Sequence, residues 1–193
     1  NETDPNVRAT EQELFEGLEA ESVNCWPNVN FDIGAINNFL RMFFPAGFYY
    51  KTFMWPRSFW YKIYEPIIRK AAGFGKASIK HDKERYEHKY EYCDILVTGS
   101  GPSGLASAYA AAKNGAKVIL AEEKPRFGGS LLTSDVNIGN QTGHEWAEKI
   151  ISELKTMPNV IVKNRSQVFG YYDHNMLVMS ERVSDHLPKT DKY

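Results

Sequence analysis

Cysteine is scarce in this chain. Cys25 and Cys93 are its two cysteines, too few and too far apart for a disulfide framework, and they form no CxxC spacing of the kind that holds zinc. No cysteine follows Cys93, so the C-terminal half cannot pass electrons through a thiol–disulfide pair. An excess of charge is missing as well: the net charge is −1, which gives no reason to expect nucleic acid or an anionic membrane as a partner. Long apolar runs are also lacking. The longest uncharged stretch of the aromatic-rich region is Met42–Tyr50, about half the length of a membrane-spanning helix. The first 22 residues carry seven acids and one base, the reverse of a signal or transit peptide. The five histidines show no metal-ligand spacing, and no metal site is expected. These absences point to a soluble, cytoplasmic protein.

A hydrophobic content of 42% with 24% charged residues lies in the globular range, and 193 residues suffice for one domain with an extension. The chain opens at Asn1 without a methionine and closes in the polar run SDHLPKTDKY, so both ends are expected to be cuts. Texture divides it into residues 1–88, an N-terminal extension with an aromatic-rich interface segment, and residues 89–193, the N-terminal part of a truncated dinucleotide-binding domain. In the extension, Thr10 followed by Glu13 has capping-box spacing and predicts a short helix over Thr10–Ala20. Residues 39–64 hold twelve of the 26 aromatic residues. Prolines 45, 56 and 66 break this block into short helical or irregular pieces. Trp, Tyr, Phe and Arg dominate protein interfaces, which favours burial against a partner over stacking on nucleobases. Residues 73–88 read as a polar connector.

From residue 93 the pattern is that of alternating strands and helices. CDILVTG suits a buried parallel strand, Pro102–Asn114 an alanine-rich helix closed by Gly115, and KVILAEE a second strand. Thr142–Met157 reads as an amphipathic helix with a capping box formed by Thr142 and Glu145, and with Trp146, Ile150 and Leu154 on one face. Val160–Val162, Gln167–Tyr172 and Met176–Arg182 are expected to be strands, the last two joined by a turn at Asp173–Asn175. The fold class is therefore α/β, with a Rossmann-like FAD/NAD(P)-binding domain.

Gly99-Ser-Gly101-Pro-Ser-Gly104 follows the first strand and opens the helix. The three glycines do different things. Gly99 makes the tight turn, Gly101 lets backbone approach a pyrophosphate, and Gly104 lets the helix pack on the sheet. The helix N-terminus then offers N–H groups and partial positive charge to phosphates. Ser100 and Ser103 have no GxSxG setting and are expected to line the phosphate loop, not to act as nucleophiles. Glu122 ends the second strand eighteen residues past Gly104, where a carboxylate can accept from a ribose 2′-hydroxyl and repel a 2′-phosphate. This disfavours NADP and points to the ADP half of NAD, with FAD left open by the motif alone. Glu123 is a second candidate for the ribose or a solvated neighbour.

Gly128-Gly129-Ser130, shortly after the acid, resembles the two-dinucleotide-binding-domain flavoprotein class. More specific are PNVRATEQELFEGLEAESVNCWPNVNFDIGAINNFL, FFPAGFYYKTFMWPRSFWYKIYEPIIRKAAGFGKA and CDILVTGSGPSGLASAYAAAKNGAKVILAEEKPRFGGSLL. These runs, with GYYDHNML and ERVSDHL, resemble the alpha subunits of heterotetrameric sarcosine oxidases. The resemblance implies a complex that oxidatively demethylates sarcosine to glycine with tetrahydrofolate and oxygen, releasing hydrogen peroxide. It implies beta, gamma and delta subunits as partners, FAD in the beta subunit, FMN between alpha and beta, and NAD in the alpha subunit. The family's NAD pattern falls here on Gly99, Gly101, Ser103 and Gly104, on Glu122, Glu123 and Lys124, and on Gly129 and Ser130, with Val168 or Phe169 beside the adenine. Ser103 stands where alanine is usual. No residue of this stretch is expected to be catalytic.

Overall fold

The computed structural model describes residues 6–10, 12–43, 47, 53, 55–79, 81, 85–184 and 186–187. The chain separates into two compact units, one made of Asn1–Gln12 with Gly17–Tyr86 and the other of Glu13–Glu16 with Glu87–Tyr193.

The first unit is built from short pieces. Two-residue strands β1 (Pro27–Asn28) and β2 (Phe31–Asp32) pair antiparallel. The Asp32 carboxylate accepts from the N–H of Trp26 at 3.1 Å and of Gly34 at 2.9 Å, which starts the turn leading into α1 (Ile36–Leu40). Further on, a π-helical turn at Trp60–Tyr64 runs into α2 (Glu65–Ala71). Pro66 sits at its start, directly after the π turn. Among the described residues of this unit no apolar side chain is buried. Phe39, Phe43, Trp55 and Tyr61 are each at least 75% exposed.

The helix expected over Thr10–Ala20 does not form; the described residues there are turns and coil. Gly17 adopts φ +86°, which a right-handed helix cannot contain. Glu13, the intended capping-box acid, is instead engaged by Arg165 of the second unit's own sheet region through two hydrogen bonds of 2.8 and 2.5 Å. Residues 13–16 thereby belong to the second unit. Tertiary pairing outweighed a local cap.

The second unit is the α/β fold the sequence describes. Three parallel strands, β3 (Ile95–Thr98), β4 (Val118–Ala121) and β7 (Val160–Lys163), lie in the order β3-β4-β7. All four residues of the central strand β4 are buried, as expected for a strand covered on both faces. The first crossover is α3 (Pro102–Lys113). Gly115, at φ +87°, closes it: its N–H reaches the Ala112 carbonyl at 3.0 Å and that of Ala116 reaches Ala111 at 3.2 Å, the paired bonds of a Schellman cap. The second crossover contains the hairpin β5 (Asn137–Ile138) and β6 (Gln141–Thr142), which the sequence pattern does not signal, and then α4 (Gly143–Thr156). Its capping box is complete: the Thr142 N–H donates to Glu145 at 2.8 Å and the Glu145 N–H to the Thr142 hydroxyl at 3.2 Å. Leu105, Ala108 and Ala112 of α3, Val118 and Leu120 of β4, and Ala147, Ile150, Ile151 and Leu154 of α4 form the core. Trp146 packs at its margin and Ile151 lies inside, so the buried face is broader than the three-residue stripe.

Strands β8 (Ser166–Tyr172) and β9 (Met176–Glu181) form an antiparallel hairpin beyond β7, bulged between Val168 and Gly170. His174 and Asn175, both with positive φ, make its turn. Among the described residues no helix is long and apolar enough to cross a membrane.

Gly104 is where helix and sheet approach most closely: a Cβ there falls 2.0 Å from the Gly99 carbonyl oxygen. Because the obstacle is backbone, Gly104→Ala is expected to lower unfolding stability by about 3 kcal/mol or more. Urea unfolding followed by circular dichroism measures it; a loss under about 1 kcal/mol means α3 does not press on the loop this closely.

Candidate functional site

The C-terminal ends of β3 and β4 open onto one cleft of about 330 Å³, lined by Thr98, Gly99, Ala121, Glu122, Glu123, Ser166, Gln167 and Val168. Ligands of parallel α/β sheets bind at this end of the strands. The volume lies at the small end of ligand-sized cavities.

Gly99 leaves β3 at φ +90°, a conformation that favours glycine. Neither Gly99 nor Gly101 has any atom within 4 Å of an added Cβ; both glycines face open space, as a backbone that meets a ligand must. Gly101 caps α3 and Pro102 fills the first helical position, so the free N–H groups of the first turn, beginning with exposed Ser103, point out of the helix end. Gly129, at φ +55°, backs onto Gly101: a Cβ there falls 2.9 Å from the Gly101 Cα. The two glycine segments are thus adjacent although 28 residues separate Gly101 from Gly129.

Ser100 joins them. Its side chain is fully buried, so it does not line a phosphate site as the loop position suggested. Its N–H and hydroxyl both donate to Glu122 Oε2, at 2.7 and 2.5 Å. The Gly128 N–H donates in turn to the Ser100 hydroxyl and carbonyl oxygens, each at 3.1 Å. Glu122 is 6% exposed and its other oxygen, Oε1, accepts from the Lys124 N–H at 2.9 Å. A carboxylate has about four acceptor positions. Three are filled, which leaves one on Oε1, and Glu122 lines the cleft.

Of the other sequence candidates, Glu123 lines the cleft and is exposed, while its carbonyl accepts from Arg182 at 3.0 Å. Val168 lines the cleft, and Phe169, 62% exposed, is outside the lining. Lys124 contributes its backbone to Glu122, and its side chain is outside the lining. Ser130 is exposed in the turn Gly129–Leu132, outside the cleft, and its carbonyl accepts from Thr133 at 3.2 Å. Thr98, Ala121, Ser166 and Gln167 were not anticipated. Thr98 and Ala121 could have been, as the last residues of two parallel strands. Ser166 and Gln167 could not, because their place depends on the Ser166 N–H reaching the Glu122 carbonyl at 2.7 Å.

Arg165 turns the chain from β7 into the cleft wall with φ +50°, and Glu13 holds its guanidinium. The hydrogen bonds from Arg165 keep the Glu13 carboxyl below its ordinary pKa of 4.5 and raise Arg165. Among the described residues no cluster of three or more His, Cys, Asp or Glu could hold a metal ion.

Residues 94–170 match the family of FAD dependent oxidoreductases. The chain is 52% identical over 184 residues, 95% of its length, to sarcosine oxidase subunit alpha of Rhizobium meliloti, and spans 19% of that protein. It is 34% identical over 117 residues, 60% of its length, to sarcosine oxidase subunit alpha of Corynebacterium sp. strain U-96, and spans 12% of it. Among solved structures, L-proline dehydrogenase from P. horikoshii covers 50% of this chain at 19% identity with a TM-score of 0.41, the match spanning 21% of that chain. The resemblance carried by the sequence is thus matched along nearly the whole chain, which spans about a fifth or less of these subunits' own length.

An acid whose pKa is lowered by folding stabilises the fold above its unfolded pKa and loses that contribution as pH falls through the folded one. Glu13→Gln is therefore expected to lower the urea midpoint at pH 6 to 7, the difference from the unmodified protein narrowing as pH falls below the ordinary glutamate range. A separation that does not narrow at any pH down to acid unfolding contradicts an ionised Glu13 as the source of the difference.

Proposed function

We propose that this chain is the nucleotide-binding segment of a sarcosine oxidase alpha subunit, and that its cleft holds the adenosine of NAD. The observation that carries the assignment is the 52% identity over 95% of the chain. The domain is read as the two-dinucleotide-binding flavoprotein type, with residues 89–193 forming its first part and residues 1–88 serving as interface. The complex so assigned oxidatively demethylates sarcosine to glycine with tetrahydrofolate and oxygen and releases hydrogen peroxide, FAD and FMN lying with or beside the beta subunit. Beta, gamma and delta subunits are the partners, and the exposed aromatic residues of the first unit suit a protein surface better than water.

The residues present suit an ADP group. The open backbone at Gly99 and Gly101 with the start of α3 would receive the pyrophosphate. Glu122 would take a ribose hydroxyl and repel a 2′-phosphate, and Val168 would lie against the adenine. A bound nicotinamide or flavin supplies hydride or electron acceptance, which no side chain of this cleft can. The chain's own residues bind and orient; none is assigned a step in bond making. A second reading, FAD in the same cleft, is favoured by the FAD dependent oxidoreductase match over residues 94–170. The ADP half is common to both.

Released cofactors separate the two. The full-length subunit, co-expressed with its partners and purified, is expected to yield NAD at about one copy per alpha chain by mass spectrometry. Absence of NAD, with FAD recovered in excess of the one copy that the beta subunit accounts for, would move the cleft to a flavin site and end the NAD reading.

A further inference from the structure

We infer that Ser100 is a positioning residue for nucleotide selection: its buried hydroxyl aims Glu122 so that a single acceptor oxygen faces the ribose. The inference rests on the nucleotide reading above, since it concerns how the same cleft reads a ribose.

A glycine-loop turn needs no hydroxyl at this position, because the backbone N–H of any residue can reach the acid. Here the Ser100 hydroxyl adds a second donor to Glu122 Oε2 at 2.5 Å beside the backbone donor at 2.7 Å. Oε2 then has both its acceptor positions filled by Ser100, which is fully buried, while Glu122 is 6% exposed. Oε1 is steadied by the Lys124 N–H at 2.9 Å. Three donors from two segments fix both carboxylate oxygens, and one acceptor position survives. A carboxylate so held can accept one hydroxyl with no loss of rotamer freedom on binding, which is how a preorganised group gains selectivity. The same hydroxyl accepts from Gly128 at 3.1 Å and so ties the segment that backs Gly101 to the ribose acid. The phosphate loop, the ribose acid and the second glycine segment are coupled through one oxygen atom, Ser100 Oγ.

Without that oxygen, Glu122 Oε2 has one donor fewer and the carboxylate can rotate away from the cleft. A ribose hydroxyl then gains less from it. Loss of stability alone weakens every nucleotide equally, whereas loss of aim weakens only the hydroxyl contribution. The ratio of affinities for ADP and 2′-deoxy-ADP, measured by titration calorimetry on the full-length protein freed of bound nucleotide, distinguishes the two. The unmodified protein is expected to prefer ADP by about tenfold, the scale of a hydrogen bond to a charged group. In Ser100→Ala this preference is expected to fall to about twofold or less. Ser100→Cys, near in size and a weaker donor, is expected to give an intermediate preference, and serves if the alanine variant does not fold. A preference unchanged in the folded variants, with both affinities reduced together, overturns the positioning role while leaving the ribose contact intact. No preference in the unmodified protein overturns the ribose contact itself, and the positioning role with it.

Discussion

Glu122 and Ser100 share a carboxylate oxygen that accepts from both the backbone and the side chain of the serine, and the cleft is arranged around that contact. A buried carboxylate is tolerated only when its oxygens are matched by donors. Meeting that demand draws three segments together: the turn after β3, the end of β4, and the Gly128 segment whose N–H binds Ser100. The acid that the motif places near a ribose is therefore also the fastener of the phosphate loop. On the nucleotide reading proposed above, binding residue and scaffold residue are the same side chain, and affinity and fold stability are coupled at this position.

The glycines extend the same constraint. Gly104 lets α3 approach the Gly99 carbonyl, and Gly129 lets its segment lie against Gly101. In each case the obstacle to a Cβ is backbone, which cannot rotate away. Two close approaches, one from the helix and one from the later turn, hold the loop from both sides while Gly99 and Gly101 keep open space toward the cleft. A backbone fixed in this way can present N–H groups to a phosphate without being reorganised when the phosphate arrives.

The first unit follows a different physical logic. Its prolines and short turns give brief pieces, and among the described residues most of its aromatic side chains stay exposed and none is buried. Exposed aromatic area on this scale is a burden in water and an asset at an interface. The second unit, by contrast, places alternate residues of β4 and one face each of α3 and α4 into a single core.

Periodicity and glycine placement were enough to locate α3, β4, α4 and the β8–β9 hairpin to within a residue or two, because apolar spacing and caps are local properties of the chain. The capping box at Thr142 and the closure at Gly115 formed as their sequence pattern specified. A similar pattern at Thr10 and Glu13 produced no helix, since Gly17 is left-handed and Glu13 has a stronger partner in Arg165, 152 residues away. Residue spacing also marked Glu122 as the acid of the second strand, but not that Ser100 would be buried behind it, nor that Ser166 and Gln167 would complete the cleft. Those facts depend on contacts between segments distant in sequence. Local pattern determined which elements form and which residues stand at their ends. Tertiary packing decided which of those ends face one another, and therefore how many acceptors Glu122 has left to offer.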